Sequence, residues 1–301
     1  MLTDVLALVL LQLALGVAFW TLVTSSKDLS GGFFVLHGAT VALCLLLVWL
    51  SSGRGGGIFL RKGIGGDASA TGDILSAVSP RILLIAAIVT AAASTLLARL
   101  SSARGPSLTP SKNLLFSPLS LSKNLLFLSF LFSTVLLLSP VRVEPFASRP
   151  GIGPVWLGAG LLLGALLFGA AYVAMNVGHW YLVSSSLPFG LLVRATEAFA
   201  TLAALRVACA VVALGVVARG STGEAGEALA ILLDPMRDGF FFWSRVLWGL
   251  AAPLVLAPFV VKTARMKSNQ AATGLLYVGL VFVLVGELLA SYLTLRSGLP
   301  V

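Results

Sequence analysis

DVLALVLLQLALGVAFWTLV, residues 4–23, carries one charge, at its first residue, and is otherwise almost wholly apolar. Such a run is long enough to cross a bilayer core, which takes about 20 apolar residues of helix. It lacks a basic leading segment and an A-x-A-like cleavage site, so it is read as a first transmembrane helix that is retained. Comparable runs succeed one another to the end of the chain, separated by short polar breaks. The 301 residues are 58% hydrophobic and 10% charged, with a mean hydropathy of +1.03, far from the composition of soluble domains. The expectation is an all-α, polytopic helical membrane protein with no sizeable domain outside the bilayer.

The expected spans are 4–24, 33–50, 80–99, 122–139, 154–183, 189–218, 239–262 and 272–295, forming a single membrane domain over 1–301. Residues 51–79, with GRGGG and GIGGDASATGD, read as a flexible connecting loop rather than a phosphate-binding motif. SKNLLF at 111–116 recurs at 122–127, which reads as a short local duplication. Eight spans put both termini on one face, side B, and the loops between helices 1–2, 3–4, 5–6 and 7–8 on the other, side A. Lys and Arg are shared evenly between the two faces, and the compact VVKTARMKSNQ at 260–270 weights side A towards the cytoplasm. A bacterial cytoplasmic membrane is the expected location.

The net charge of +9 is spread thinly over many loops. That distribution suits anionic lipid headgroups and argues against a nucleic-acid partner. Cys44 and Cys209 stand in apolar runs without CxxC spacing and read as small apolar side chains.

Ionisable groups within the spans demand a partner or a function, because each costs about 2.5–3.5 kcal/mol on insertion scales. At 1.5 Å per residue, Glu287 lies about 8 Å from side B, Arg245 about 9 Å from side B, and Arg206 about 25 Å down its helix from side A. Matched depth on three consecutive helices predicts a buried Arg206/Arg245/Glu287 cluster. It can act as an ion-pair lock between helices or as a site for a quinone, a proton or an anion.

His37, in GGFFVLHGATVALC, and His179, in MNVGHWYLVSSSLPF, both fall about one turn inside the side A end of their helices. Two imidazoles at one depth could be axial ligands of a b-type haem, with Gly38 and Gly178 admitting a flat ring. Tyr172, Asn176 and His179 share a helical face expected to look inward, with Glu197 and Tyr277 at a similar depth as further lining of a haem or quinone site. Arg194 and Glu197, three residues apart, can pair with each other. Equally, Trp180 and Tyr181 mark the headgroup level, where His179 needs no special partner.

Three functional readings follow. The first is an integral subunit of an electron-transfer or quinone-linked complex, with or without haem b, working with other membrane or extrinsic redox subunits. The second is a transporter or exporter using the charge cluster, with Pro253 and Pro258 interrupting GLAAPLVLAPFV but no matching broken helix in the first half. The third is a structural or assembly subunit, packed through small-residue runs such as GAGLLLGALLFGAA and AAIVTAAAS. No HExxH, paired DxxxD or GxSxG is present, so enzymatic activity is undecided and a non-catalytic subunit is preferred to an enzyme.

Overall fold

The computed structural model describes residues 1–24, 29, 31–52, 80–103, 118–138, 154–183, 187–188, 190–219, 230–234 and 237–297. The connection at 53–79 and the first SKNLLF copy at 111–116 lie outside them. Among the described residues there is no strand, and eight helices are long and apolar enough to cross a membrane. They are α1 (Leu2–Val23), α2 (Gly31–Ser52), α3 (Pro80–Ala103), α4 (Pro118–Leu138), α5 (Pro154–Val183), α6 (Gly190–Arg219), α7 (Gly239–Arg265) and α8 (Asn269–Ser297).

The expected spans all appear, and several helices extend beyond their apolar runs. Pro80, Pro118 and Pro154 each open a helix, where a missing N–H is harmless and the fixed φ already suits the first turn. Proline thus starts α4 four residues before the apolar pattern suggests, and the second SKNLLF copy lies wholly inside it. Arg265 ends α7, and Lys267, at φ 61°, reverses the chain into α8.

Segment Gly239–Arg265 is not one continuous α-helix. Its first part, Gly239–Ser244, passes into a π-helical turn over Arg245–Ala251 before regular α-helix resumes at Ala252. Pro253 supplies the reason. It cannot donate to the carbonyl of Gly249, and its ring crowds that carbonyl, so the turn before it widens.

Helix α1 is the central post, touching α2, α4, α5 and α8. Its Leu11, Ala14, Leu15, Val17 and Ala18 are fully buried. Gly16 and Gly169 meet where α1 crosses α5, so closely that a Cβ on either would overlap the other helix's backbone. This is close small-residue packing, which matters in a bilayer because lipid tails offer no hydrophobic drive to helix association. One core layer joins α1 with α2, α3, α4 and the first half of α5; the second joins α5 with α6, α7 and α8 and takes in Val9 of α1, Phe33 and Phe34 of α2 and Ala98 of α3. Lys123, at the start of α4, donates 2.9 Å to the Thr24 carbonyl at the C-terminus of α1 and lies over the Phe34 ring. A cation there satisfies a terminal carbonyl at the negative end of the helix dipole.

Candidate functional site: a buried charge network

The charge cluster forms inside the second layer. Glu287 Oε1 on α8 accepts from Arg206 Nε on α6 at 3.2 Å and from Arg245 Nη2 on α7 at 3.3 Å. Its other oxygen, Oε2, accepts from Gln12 Nε2 on α1 at 3.2 Å, and that amide also reaches the Leu161 carbonyl of α5. Exposures of 4% for Arg206 and 1% each for Arg245, Glu287 and Gln12 put the whole network out of reach of bulk solvent.

Glycines make the room. A Cβ at Gly164 on α5 would overlap the Glu287 carboxylate, and one at Gly249 would overlap both the Arg245 guanidinium and Gly286. Helices α7 and α8 therefore touch backbone to backbone where the ions meet. The π turn begins at Arg245 itself, so this distortion sets the direction of the charged side chain.

Two guanidiniums converge on one carboxylate oxygen. The network's hydrogen bonding is incomplete: Arg245 Nε and Nη1, Gln12 Oε1 and, one turn beyond Glu287, Ser291 Oγ are buried without a partner among the described residues. A cavity of about 10 Å³ lies against Gln12, Gly160, Arg206, Glu287 and Thr294, close to the size of one water molecule. A simple lock between helices would be expected to balance its charge and satisfy its donors, because an uncompensated buried charge is strongly destabilising. This network leaves two Arg245 donors without a partner among the described residues.

Gln12 is the participant that sequence reasoning missed. Its signal was present as the lone amide within the first apolar run, but a neutral side chain raises no depth-matching question.

The expected side A group is brought together only in part. His37 is fully buried: its Nδ1 lies 2.7 Å from the Phe33 carbonyl, its ring stacks on Phe33 at 4.0 Å and meets the Tyr172 ring edge-on at 5.7 Å, and its Nε2 has no partner among the described residues. Tyr172 OH bonds Thr40 at 2.9 Å, which ties α5 to α2. His179, by contrast, is exposed together with Leu182 and Val183, because α5 runs on at its side A end. Asn176 spends its amide locally, donating to the Tyr172 carbonyl at 2.9 Å. Glu197 pairs with Arg265 of α7 at 2.7 Å rather than with Arg194, whose Nε instead bonds the Gly190 carbonyl. Tyr277 is exposed. Among the described residues no ring contact joins His37 to His179, and no group of three or more His, Cys, Asp or Glu could hold a metal ion.

No protein-family profile matches the chain, and no curated protein matches it in sequence.

Proposed function

We propose that the chain is an integral membrane transporter or exporter in which the Arg206/Arg245/Glu287 network binds an anionic substrate inside the bilayer. The observation that carries this reading is the fully buried Arg245 guanidinium, two of whose N–H groups have no partner among the described residues. An anion would supply the missing acceptors. The proline-linked π turn at Arg245 adds a local break of the kind that positions ligands in membrane carriers.

The test uses the purified chain in proteoliposomes on a solid-supported membrane, presented in turn with chloride, phosphate and oleate. The reading predicts a saturable current for at least one of them, absent from protein-free vesicles and abolished by Arg245→Gln. Absence of current across all three, or a current unchanged by Arg245→Gln, overturns it.

A second reading keeps the electron-transfer expectation, on the buried His37 whose Nε2 is without a partner beside Tyr172 and Thr40. With Nδ1–H donated to the Phe33 carbonyl, that nitrogen carries a lone pair that could ligate haem b or accept from a quinol hydroxyl. Reduced-minus-oxidised spectra after purification with added haem, and their loss in His37→Ala, test the haem form. Quinone retained by the wild type and lost from His37→Ala tests the other.

A further inference from the structure

Helix α7 packs on α6 mainly through Ala252–Arg265, while its earlier part leans on α8. Along the packed part the two helices leave a cavity of about 590 Å³, walled by Ala200 of α6 and by Leu254, Pro258 and Val261 of α7, with Lys262 and Arg265 at its side A end. Leu254 is exposed, so the cavity is a groove open to the outside of the bundle. From Leu254 to Lys262 it runs about 12 Å along α7, close to the ~15 Å of hydrocarbon in one leaflet.

We propose that this groove binds an anionic phospholipid of the side A leaflet, with its phosphodiester on Lys262 and Arg265 and one acyl chain lying against Pro258 and Leu254.

Charge selects an anionic occupant over a neutral one. The side A ends of α5 to α8, with the loops that join them, carry Arg194, Lys262, Arg265 and Lys267 against a single carboxylate, Glu197. That excess is fixed by the sequence whatever the side chains bond to, and it attracts a headgroup of net negative charge. Glu197 is itself engaged, its Oε1 accepting from Arg265 Nη2 at 2.7 Å. Lys262, exposed and one turn inside the end of α7, has no ion-pair or hydrogen-bond partner among the described residues.

The order of the groove's walls selects a lipid over a free anion. Its cations stand at one end and its apolar side chains below them, as a lysine at the headgroup level lays its stem along apolar surface and keeps its ammonium in water. Inorganic phosphate would use the cations and leave the apolar wall uncovered. A zwitterionic lipid would cover the wall and bring no net charge to Lys262. Cations in the last turn of α7 also suit its dipole, but that role acts on stability and leaves the choice of lipid unchanged.

Native mass spectrometry of the full chain in neutral detergent tests the site, by titration with phosphatidylglycerol and, separately, with phosphatidylcholine of identical chains. The first phosphatidylglycerol is expected to bind about tenfold more tightly than the first phosphatidylcholine, the order of one charge-assisted hydrogen bond. Lys262→Gln should bring the two lipids level, and Lys262→Arg should keep the preference. Arg219→Gln, which removes an exposed cation at the opposite end of α6, should keep it too. Ala200→Phe fills the groove without touching a charge and should weaken phosphatidylglycerol by about tenfold.

Equal affinity for the two lipids overturns the proposal, as does a preference that survives Lys262→Gln. A preference lost equally in Arg219→Gln identifies diffuse net charge and overturns it as well. An Ala200→Phe variant that binds phosphatidylglycerol as the wild type does, or displacement of that lipid by excess inorganic phosphate, shows headgroup attraction without a seat for the chain and has the same consequence. None of these variants alters Arg245 or Glu287, so the result is independent of the transport reading.

Discussion

Glu287 holds two guanidiniums in hydrocarbon, and the asymmetry of buried ion pairs sets what its loss would do. Glu287→Leu takes an ion-pair partner from Arg206 and from Arg245 and is expected to destabilise the protein by about 3–5 kcal/mol, read as a fall in thermal midpoint in detergent. Replacing all three at once, as Arg206→Met, Arg245→Leu and Glu287→Leu, removes charge and partner together and should leave stability near that of the wild type. Gln12→Leu is milder. It takes one donor from Glu287 Oε2 but also removes the partnerless Oε1, for a net loss of about 1 kcal/mol in the same assay. The charged members of this site were legible in the sequence because an ion in an apolar run is conspicuous and helix rise converts its position into depth. Gln12 was not, since an amide in a span has many routes to satisfaction. Of the two readings of His179, its exposure fits the interfacial one, because helical spacing reports which residues share a face, not how far neighbouring helices extend to cover it.

At the scale of the helix, Pro253 is the residue that separates a distorted α7 from a regular one. Pro253→Ala restores an N–H that can bond to the Gly249 carbonyl, and the π turn over Arg245–Ala251 should relax to α-helix. One residue of register turns a side chain by about 100°, enough to carry Arg245 away from Glu287. A structure of the variant should show the ion pair broken while Arg206 and Glu287 remain joined; a persisting π turn would contradict this cause. Lys123→Met tests another local device. Losing its bond to the Thr24 carbonyl should lower stability by about 1 kcal/mol in the detergent thermal midpoint. Helix starts at Pro80, Pro118 and Pro154 follow from known proline preferences and are readable in advance. The widened turn is harder to foresee: proline announces a disturbed helix, but whether the chain answers with a kink or an added residue depends on Gly249 and Gly286 meeting across α7 and α8.

For the whole molecule, eight spans require both termini on one membrane face, so single cysteines replacing the exposed Arg237 and Lys267 should react with impermeant reagents from opposite sides of a sealed vesicle. The eight-helix architecture was legible because run length and hydropathy decide it without tertiary information. The divergence of α6 from the first half of α7 was not, because both helices are apolar around most of their circumference and no face declares a neighbour. That divergence leaves the buried Arg245 at the wall of a cavity between α6 and α7. The central claim is that the Arg206/Arg245/Glu287 network serves an anion rather than merely holding helices together. Anion-driven current from proteoliposomes of the wild type and of the triple variant, at matched thermal midpoint, tests it most directly. The account predicts a saturable current in the wild type and none in the equally stable triple variant. A triple variant that conducts like the wild type, or a wild type that carries no current, would contradict it.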